Sequence, residues 1–201
     1  MSNLDVLKVP SLYLLTQGLV GAKHARKKYI EEYARIEPGM RILDIGCGPG
    51  YVVQYLPKVC YFGFDISPAY INYAKQKYGA RGTFFAQAFD ANIAKKLGQF
   101  DVILMAGLLH HLHDSEAVGL LDLARQAVRG TGRLVTLDPC YHIHQSRIAK
   151  FLMDCDRGDS IREASEYARL ASRKFGNVRL HVREDLFFFP YTAAVMVCEL
   201  N

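Results

Sequence analysis

A glycine-rich turn follows a short aliphatic run in the first quarter of the chain. Residues Leu43–Gly50 read LDIGCGPG, with a glycine at every second position from Gly46 and an aspartate, Asp44, just before it. Glycines at this spacing let the backbone turn sharply and approach a ligand closely. A second aspartate, Asp65, follows at the distance where nucleotide-binding sheets place a carboxylate for the ribose hydroxyls. The pattern indicates binding of a nucleoside-containing cofactor.

Histidines form a second group of residues that could do chemistry. Five of the seven follow the fourth and fifth predicted strands: His110, His111, His113, His142 and His144. An imidazole can take up a proton at neutral pH, and a well-placed general base typically contributes about 10²–10⁴-fold to a rate. We predict His111 and His142 as the leading catalytic bases, with His110 next. A packing or helix-capping role is the alternative for each of them.

Alternating strands and helices must position both groups. The predicted strands are Arg41–Ile45, Tyr61–Phe64, Thr83–Ala86, Phe100–Met105 and Arg133–Leu137, followed by a hairpin of Val178–Arg183 and Ala193–Leu200. Helices are predicted over Ala22–Ile36, Tyr51–Leu56, His142–Cys155 and Ser160–Phe175, and between the strands. The alternation predicts an α/β fold, a doubly wound, mostly parallel sheet with an antiparallel hairpin at one edge. Such sheets bind ligands at the carboxyl ends of their strands, so the glycine turn and the histidines are expected at one edge.

Length and composition describe one soluble domain. The chain has 201 residues, of which 50% are hydrophobic and 22% charged. Because no uninterrupted apolar stretch reaches 18 residues and the N-terminus lacks a signal-peptide pattern, we expect no membrane span and a cytoplasmic location. The five cysteines include no C-x-x-C pair, and Cys140, His142 and His144 have no matching ligand pair, so we expect no metal site.

A nicotinamide dinucleotide site is the first alternative for the glycine turn. Its fingerprint, G-x-G-x-x-G, counted from Gly46, requires a third glycine at position 51, where this chain has Tyr51. The strict dinucleotide pattern is therefore absent, and a nicotinamide-dependent reductase is disfavoured.

The motif D-x-G-x-G-x-G at 44–50 resembles the first motif of the class I S-adenosylmethionine-dependent methyltransferases. Four further positions agree in order: FDIS at 64–67, an acid at Asp90, FDVILMAGLLHHL at 100–112 and GRLVTLDP at 132–139. The LHHL segment is similar to that of small-molecule branches such as the quinone-biosynthesis methyltransferases. The resemblance covers about residues 38–139 and implies a Rossmann-like, seven-stranded sheet, mostly parallel with one antiparallel edge strand.

The resemblance implies S-adenosylmethionine as cofactor and S-adenosylhomocysteine as product, with a role for each matching residue. The residues implied to face the methionine moiety are Asp44, Gly46, Cys47, Gly48 and Gly50. Those implied along the nucleoside are Asp65 for the ribose, Ile66 beside the adenine, and Phe89 and Asp90 at the adenine. Met105 and Ala106 are implied to line the cofactor at the end of the fourth strand. For Asp90, capping the helix that begins at Ala91 is the alternative.

The remaining segments are expected to select the acceptor within a single methyltransferase domain over residues 1–201. Residues 1–38 are predicted as a helical lid, in which Tyr13 and Gln17 lie one turn apart, and residues 139–176 as a helical substrate-side insertion. Tyr141, Arg147 and Tyr191 are further predicted substrate contacts. Residues 139–183 carry nine basic and five acidic side chains, so we predict an anionic small-molecule acceptor.

The predicted function is methyl transfer from S-adenosylmethionine to an oxygen, nitrogen or carbon of a small molecule. Methylation of RNA is one alternative, but the basic run KHARKK at 23–28 is followed directly by Glu31 and Glu32, which favours a solvated helix face. The N/D-P-P-Y segment of DNA amino-methylating enzymes is replaced by MAGL at 105–108. We therefore expect no nucleic-acid partner. A non-catalytic cofactor-binding module is the second alternative, because binding and catalysis share the same motifs.

Overall fold

A single mixed sheet of eight strands organises the computed structural model, which describes residues 21–154, 158 and 160–201. The strands are β1 (Arg41–Ile45), β2 (Cys60–Asp65), β3 (Thr83–Ala86), β4 (Phe100–Ala106), β5 (Val128–Tyr141), β6 (Arg162–Glu163), β7 (Asn177–Arg183) and β8 (Ala193–Glu199). The helices are α1 (Ala22–Lys28), α2 (Pro68–Tyr78), α3 (Ala91–Leu97), α4 (Asp114–Ala127), α5 (Arg147–Asp154) and α6 (Ala164–Ala171). A π-helix, Tyr29–Ala34, continues α1, and short 3₁₀ helices span Tyr51–Tyr55 and Leu109–His111.

The strand order is β3-β2-β1-β4-β5-β8-β7, with the two-residue β6 beside the end of β5. Strands β1 to β5 run parallel, and β8 runs antiparallel between β5 and β7. The predicted fold class is confirmed, including the late hairpin. The antiparallel strand β8 lies second from the edge, because its hairpin partner β7 continues the sheet beyond it. The strand order reverses between β1 and β4, where an open α/β sheet forms its ligand crevice.

Apolar side chains cover both faces of the sheet, because successive strand residues point to opposite sides. On β5, Val135 and Leu137 face the layer that contains α1 and α2, whereas Leu134 and Cys140 face the layer that contains α4 and α6. The π-helix is attached to the sheet by the buried Tyr29 hydroxyl, which donates to the carbonyl oxygen of Val135 on β5 at 2.6 Å.

Four segments differ from the sequence prediction. The helix predicted over Tyr51–Leu56 is the 3₁₀ helix Tyr51–Tyr55, and β5 is longer than predicted because Val128 already pairs with Phe100 across a register irregularity. The two long helices predicted after residue 141 are the shorter α5 and α6, with β6 between them. Within the described part of the chain, no helix has the length and apolarity needed to cross a membrane.

Candidate active site

The glycine turn joins β1 to the 3₁₀ helix at the centre of the carboxyl edge. Gly46, Gly48 and Gly50 all have left-handed backbone conformations, with φ of 75°, 52° and 73°. The amides of Gly46 and Cys47 donate to the carbonyl oxygen of Phe64, at 2.8 and 3.0 Å. The turn is therefore held against the end of β2, where Asp65 follows.

Two of these glycines have different neighbours. A Cβ atom built on Gly50 would lie 3.0 Å from Cε1 of Phe84 and 3.2 Å from Cβ of Ala74, so Gly50 allows close packing against α2 and β3. A Cβ atom on Gly48 would have no heavy atom of the described residues within 4 Å. Gly48 thus turns toward open space at the mouth of the crevice, where a ligand can approach the backbone.

Asp65 at the end of β2 holds the turn and remains able to bind a ligand. One carboxylate oxygen accepts from the Gly48 amide at 2.9 Å, and the other accepts from the Ser67 amide at 2.8 Å. Each oxygen can accept a second hydrogen bond, so both can still receive ribose hydroxyls. The next side chain, Ile66, is 78% exposed and offers an apolar surface beside the carboxylate. This pairing of a carboxylate with an apolar side chain fits a nucleoside.

Asp44 lies beneath the turn as a buried carboxyl group. The Tyr61 hydroxyl donates to it at 2.6 Å. Burial raises the pKa of Asp44 from its ordinary value of 3.8 to about 7, while the hydrogen bond from Tyr61 acts in the opposite direction. Burial, followed by the charges of Asp44 and Asp65, also raises the pKa of the Cys47 thiol. A positively charged ligand group would stabilise the ionised form of Asp44, so the site fits the cationic methionine end of S-adenosylmethionine.

Four residues predicted to contact the cofactor, two at the adenine and two at the end of β4, are largely occupied in packing and capping. Asp90 caps α3, because its Oδ1 atom accepts from the Ile93 amide at 2.8 Å. Phe89 is buried, with its ring centroid 5.3 Å from that of Phe64. Met105 is fully buried on β4, and the following Ala106 is half-buried. The capping alternative for Asp90 is thus realised, and contacts of these four residues with a cofactor stay predictions.

Asp138 on β5 organises the histidine segment, and the sequence interpretation assigned it no role. Its Oδ1 atom accepts from the amides of Leu108 and His110, at 3.0 and 3.2 Å, and lies 2.9 Å from Nδ1 of His110. Both side chains are buried. The other carboxylate oxygen, Oδ2, is buried without a hydrogen-bond partner among the described residues. The available signal was an acidic residue at the carboxyl end of a central strand.

The three predicted catalytic histidines fall into two groups. The rings of His110 and His111 lie 3.9 Å apart, with His110 buried and His111 exposed. His142 lies in the turn after β5, where its amide donates to Oε1 of Gln145 at 3.0 Å and its ring accepts from the His144 amide at 3.4 Å. The structure therefore brings His110 and His111 together and places His142 on a separate turn.

Arg162 connects the histidine segment to the region after β5 through hydrogen bonds. Like Asp138, it has a structural role that the sequence did not predict. Its guanidinium donates to the carbonyl oxygens of Leu109 and Leu112, at 2.9 and 2.6 Å, and to Oδ1 of Asp114 at 2.9 Å. The side chain is buried, so this charge of the basic 139–183 segment is already paired within the fold.

The predicted substrate residues lie in different surroundings. The Tyr141 hydroxyl donates to Oδ1 of Asp154 at 2.8 Å, and Arg147 is exposed at the start of α5. Tyr191 belongs to a group of aromatic rings in the β7–β8 connection. Tyr13 and Gln17 lie outside the described residues. No group of three or more histidine, cysteine or acidic side chains suited to a metal ion occurs among the residues that the structure describes.

Comparison with known proteins identifies the family. A family model described as a methyltransferase domain matches residues 22–178. The chain belongs to this methyltransferase family. The resemblance inferred from the five motifs is thereby confirmed.

Individual curated relatives of this methyltransferase domain have low sequence identity over about half of the chain. Ubiquinone biosynthesis O-methyltransferase of Xanthomonas axonopodis pv. citri is 27% identical over 99 residues, which cover 46% of this chain and 41% of that protein. Cyclopropane-fatty-acyl-phospholipid synthase of Escherichia coli K12 is 34% identical over 100 residues, covering 47% of this chain and 25% of that protein. The matches span less than half the length of each of these curated relatives.

Solved structures agree with the fold. A TehB-like SAM-dependent methyltransferase from Corynebacterium glutamicum aligns with a TM-score of 0.62 at 20% identity, covering 87% of both chains. The pyocyanin biosynthetic protein PhzM aligns with a TM-score of 0.67 at 16% identity, covering 88% of this chain and 55% of that one. At these identities the likeness concerns the fold.

Proposed function

We propose that this chain transfers a methyl group from S-adenosylmethionine to an oxygen, nitrogen or carbon atom of a small molecule. The observation that carries the proposal is the arrangement around Gly48, which faces open space while its amide is held by Asp65 and the apolar Ile66 lies alongside. A cytoplasmic location is part of the proposal and is supported by five cysteines without a C-x-x-C pair.

The chain's own residues would bind and orient the cofactor. Asp65 and Ile66 would hold the nucleoside, and the backbone at Gly48 would approach the methionine moiety. The buried Asp44 would balance the positive charge of that moiety. When bound, S-adenosylmethionine supplies the activated methyl group, so the protein's main task is to align the acceptor atom with it. Such alignment contributes up to roughly 7–11 kcal/mol in favourable cases.

A histidine would remove the proton if the acceptor is a hydroxyl group or an acidic carbon. Among the three predicted bases, the geometry supports His110 best, because the Asp138 carboxylate accepts from Nδ1 and so favours the tautomer with a basic Nε2. His111 and His142 stay predictions as alternative bases. An anionic acceptor also stays a prediction, and its support is the exposed Arg147, since Arg162 is paired within the fold.

The experiment is a two-step assay on the purified chain. First, S-adenosylhomocysteine at 100 times its dissociation constant should stabilise the fold by about 2.7 kcal/mol, which raises Tm by roughly 5–10 °C in a chain of this size. Second, release of S-adenosylhomocysteine is measured with a panel of phenols, amines and carbon acids. We expect His110→Ala to lose turnover while keeping the thermal shift, and His181→Ala, on the edge strand β7, to keep both.

Each step has an outcome against the proposal. If S-adenosylhomocysteine fails to stabilise the chain, the cofactor site is wrong. If the cofactor binds and no small acceptor is methylated, the non-catalytic module becomes the better account. RNA binding with a steep salt dependence would instead favour the nucleic-acid alternative.

A further inference from the structure

The connection between β7 and β8 places aromatic rings at the carboxyl edge of the sheet. The ring of Tyr191 packs on Phe187 and Phe189, with centroid distances of 4.7 and 5.4 Å. The connection reaches this edge because β8 is antiparallel to β5, so that Ala193 pairs with Pro139 near the end of β5. These rings therefore lie at the same edge as the glycine turn.

A cavity of about 420 Å³ opens between this connection and α5. We call it the aromatic cavity. Its apolar lining is Ala149, Phe187, Phe188, Phe189, Pro190 and Tyr191, and its polar lining is Ser146 and Glu184. The volume lies within the roughly 300–1,000 Å³ of small-molecule sites.

Phe188 presents an exposed ring in a defined position. The ring is 71% exposed, yet its centroid lies 5.6 Å from that of His24. A Cβ atom built on Gly21 would lie 2.9 Å from Cγ of Phe188, so the backbone at Gly21 also packs closely against this ring. Phe188 also lines the aromatic cavity, so its exposed ring is a surface that an apolar partner in the cavity can contact.

The charged groups that line the aromatic cavity indicate the net charge and the polar groups of a compound that would bind there. Glu184 is the ionisable acid of its described lining, and its Oε1 atom lies 3.3 Å from the Thr192 hydroxyl. Lysine, arginine and histidine are absent from the lining as described. A carboxylate repels an anion and accepts hydrogen bonds from hydroxyl groups, while the rings favour edge-to-face contact with another ring. These features together favour an uncharged aromatic compound that carries hydroxyl groups over the anionic acceptor that the sequence predicts.

The sheet order sets the distance that an acceptor must span between the cofactor crevice and the aromatic cavity. Ala106, which is predicted to line the cofactor, is the last residue of β4, and Gly48 lies in the turn after β1. The aromatic cavity lies beside the start of β8. Two strand spacings separate β4 from β8, or roughly 10 Å. We propose that the aromatic cavity binds the uncharged aromatic body of the methyl acceptor and thereby sets acceptor selectivity. This inference rests on the proposed methyl transfer at the neighbouring crevice.

The test compares three acceptors that share one reactive catechol: catechol, biphenyl-3,4-diol and 3,4-dihydroxybenzoate. We expect biphenyl-3,4-diol to have the highest kcat/KM and the benzoate to have the lowest. Phe188→Ala should lower kcat/KM for biphenyl-3,4-diol about 2- to 10-fold, the range for losing one aromatic contact, and leave catechol within about 2-fold. Phe151→Ala is the matched control, because Phe151 is 64% exposed on α5 and lies outside the cavity lining.

A binding measurement decides the question without turnover. The chain contains no tryptophan, so Phe188→Trp introduces a single tryptophan whose emission can be followed selectively. With S-adenosylhomocysteine bound, we expect biphenyl-3,4-diol to shift or quench its emission in a saturable way. The inference is overturned by an absence of saturable change, or by emission that is already blue-shifted and insensitive because other residues of the chain fill the cavity.

The two proposals can fail separately. If the wild-type chain does not bind S-adenosylhomocysteine, this result is seen before any acceptor is added and overturns the proposed function. Methylation of the catechols with equal effects of Phe188→Ala and Phe151→Ala overturns only the role of the aromatic cavity. Faster methylation of the benzoate than of the biphenyl would also overturn it, and would favour an anionic acceptor.

Discussion

Removal of the Asp138 carboxylate is the sharpest test of how the candidate site is built. One oxygen of this side chain lies within hydrogen-bonding distance of three donors of the segment after β4, the amides of Leu108 and His110 and the His110 ring. Asp138 is only 2% exposed, so water cannot replace the lost acceptor without entering the core. Asp138→Ala therefore leaves three polar groups of one short segment without their acceptor.

The expected magnitude follows from these contacts. Each buried donor left without its acceptor costs about 1–3 kcal/mol, and the three costs are not additive. We expect Asp138→Ala to lower the free energy of unfolding by about 3–5 kcal/mol, or Tm by roughly 6–20 °C for a chain of this size. Asp138→Asn keeps an acceptor oxygen but places an amide where Oδ2 has no partner among the described residues, so we expect about 1–3 kcal/mol.

Urea unfolding followed by circular dichroism measures these differences. Asp122→Ala is the control, because Asp122 pairs with Lys174 at 2.8 Å on the surface, where such pairs contribute about 0.2–1 kcal/mol. Methyl transfer by folded Asp138→Asn then reports on His110, and we expect a larger loss in kcat than in cofactor affinity. The reasoning is refuted if Asp138→Ala unfolds within about 1 kcal/mol of Asp122→Ala.

Three further outcomes are expected. Burial raises the pKa of Asp44 to about 7, so between pH 4 and pH 7 the folded chain keeps a proton that the unfolded chain releases. Ionisable Asp44 therefore lowers the free energy of unfolding as pH rises through that window. Urea unfolding of Asp44→Asn should lose this part of the pH dependence, and an unchanged pH dependence would contradict the prediction. Gly48→Ala and Gly39→Ala both place a Cβ in open space at positive φ, so each should destabilise the fold by about 1–2 kcal/mol. Calorimetry should show weaker cofactor binding for Gly48→Ala alone. Equal cofactor affinities of the two variants would contradict a cofactor site at Gly48. Gly50→Ala should be less stable than Gly39→Ala by a further 1–3 kcal/mol or so, because its Cβ meets Phe84 and Ala74, and equal unfolding midpoints would show that this packing adjusts freely.

The parts of the site that the sequence predicted depend on local chemistry. The glycine turn requires left-handed backbone at alternate positions, which only glycine adopts readily, and Gly46, Gly48 and Gly50 have that conformation. The capping alternative for Asp90 was also readable, because a cap involves an amide three residues away. Such patterns can be recognised from neighbouring residues alone.

The parts that the sequence did not predict depend on contacts between distant segments. Asp138 acts on residues about 30 positions earlier, and Arg162 contacts Leu109 from 53 positions away. Neither residue type specifies its partner, so only the folded chain brings them together. The early start of β5 has the same origin, since Val128 joins the sheet by pairing with Phe100.

Calorimetric titration with S-adenosylhomocysteine directly measures cofactor binding at the glycine turn. We expect one binding site per chain in the wild type and in Asp122→Ala. Asp65→Ala should bind at least about tenfold more weakly, because it loses charge-assisted hydrogen bonds to the ribose. Comparison of circular dichroism spectra and Tm of the three proteins would establish that they are equally folded. An absence of binding in the wild type, or wild-type affinity in a folded Asp65→Ala, would show that the glycine turn and Asp65 do not form the cofactor site.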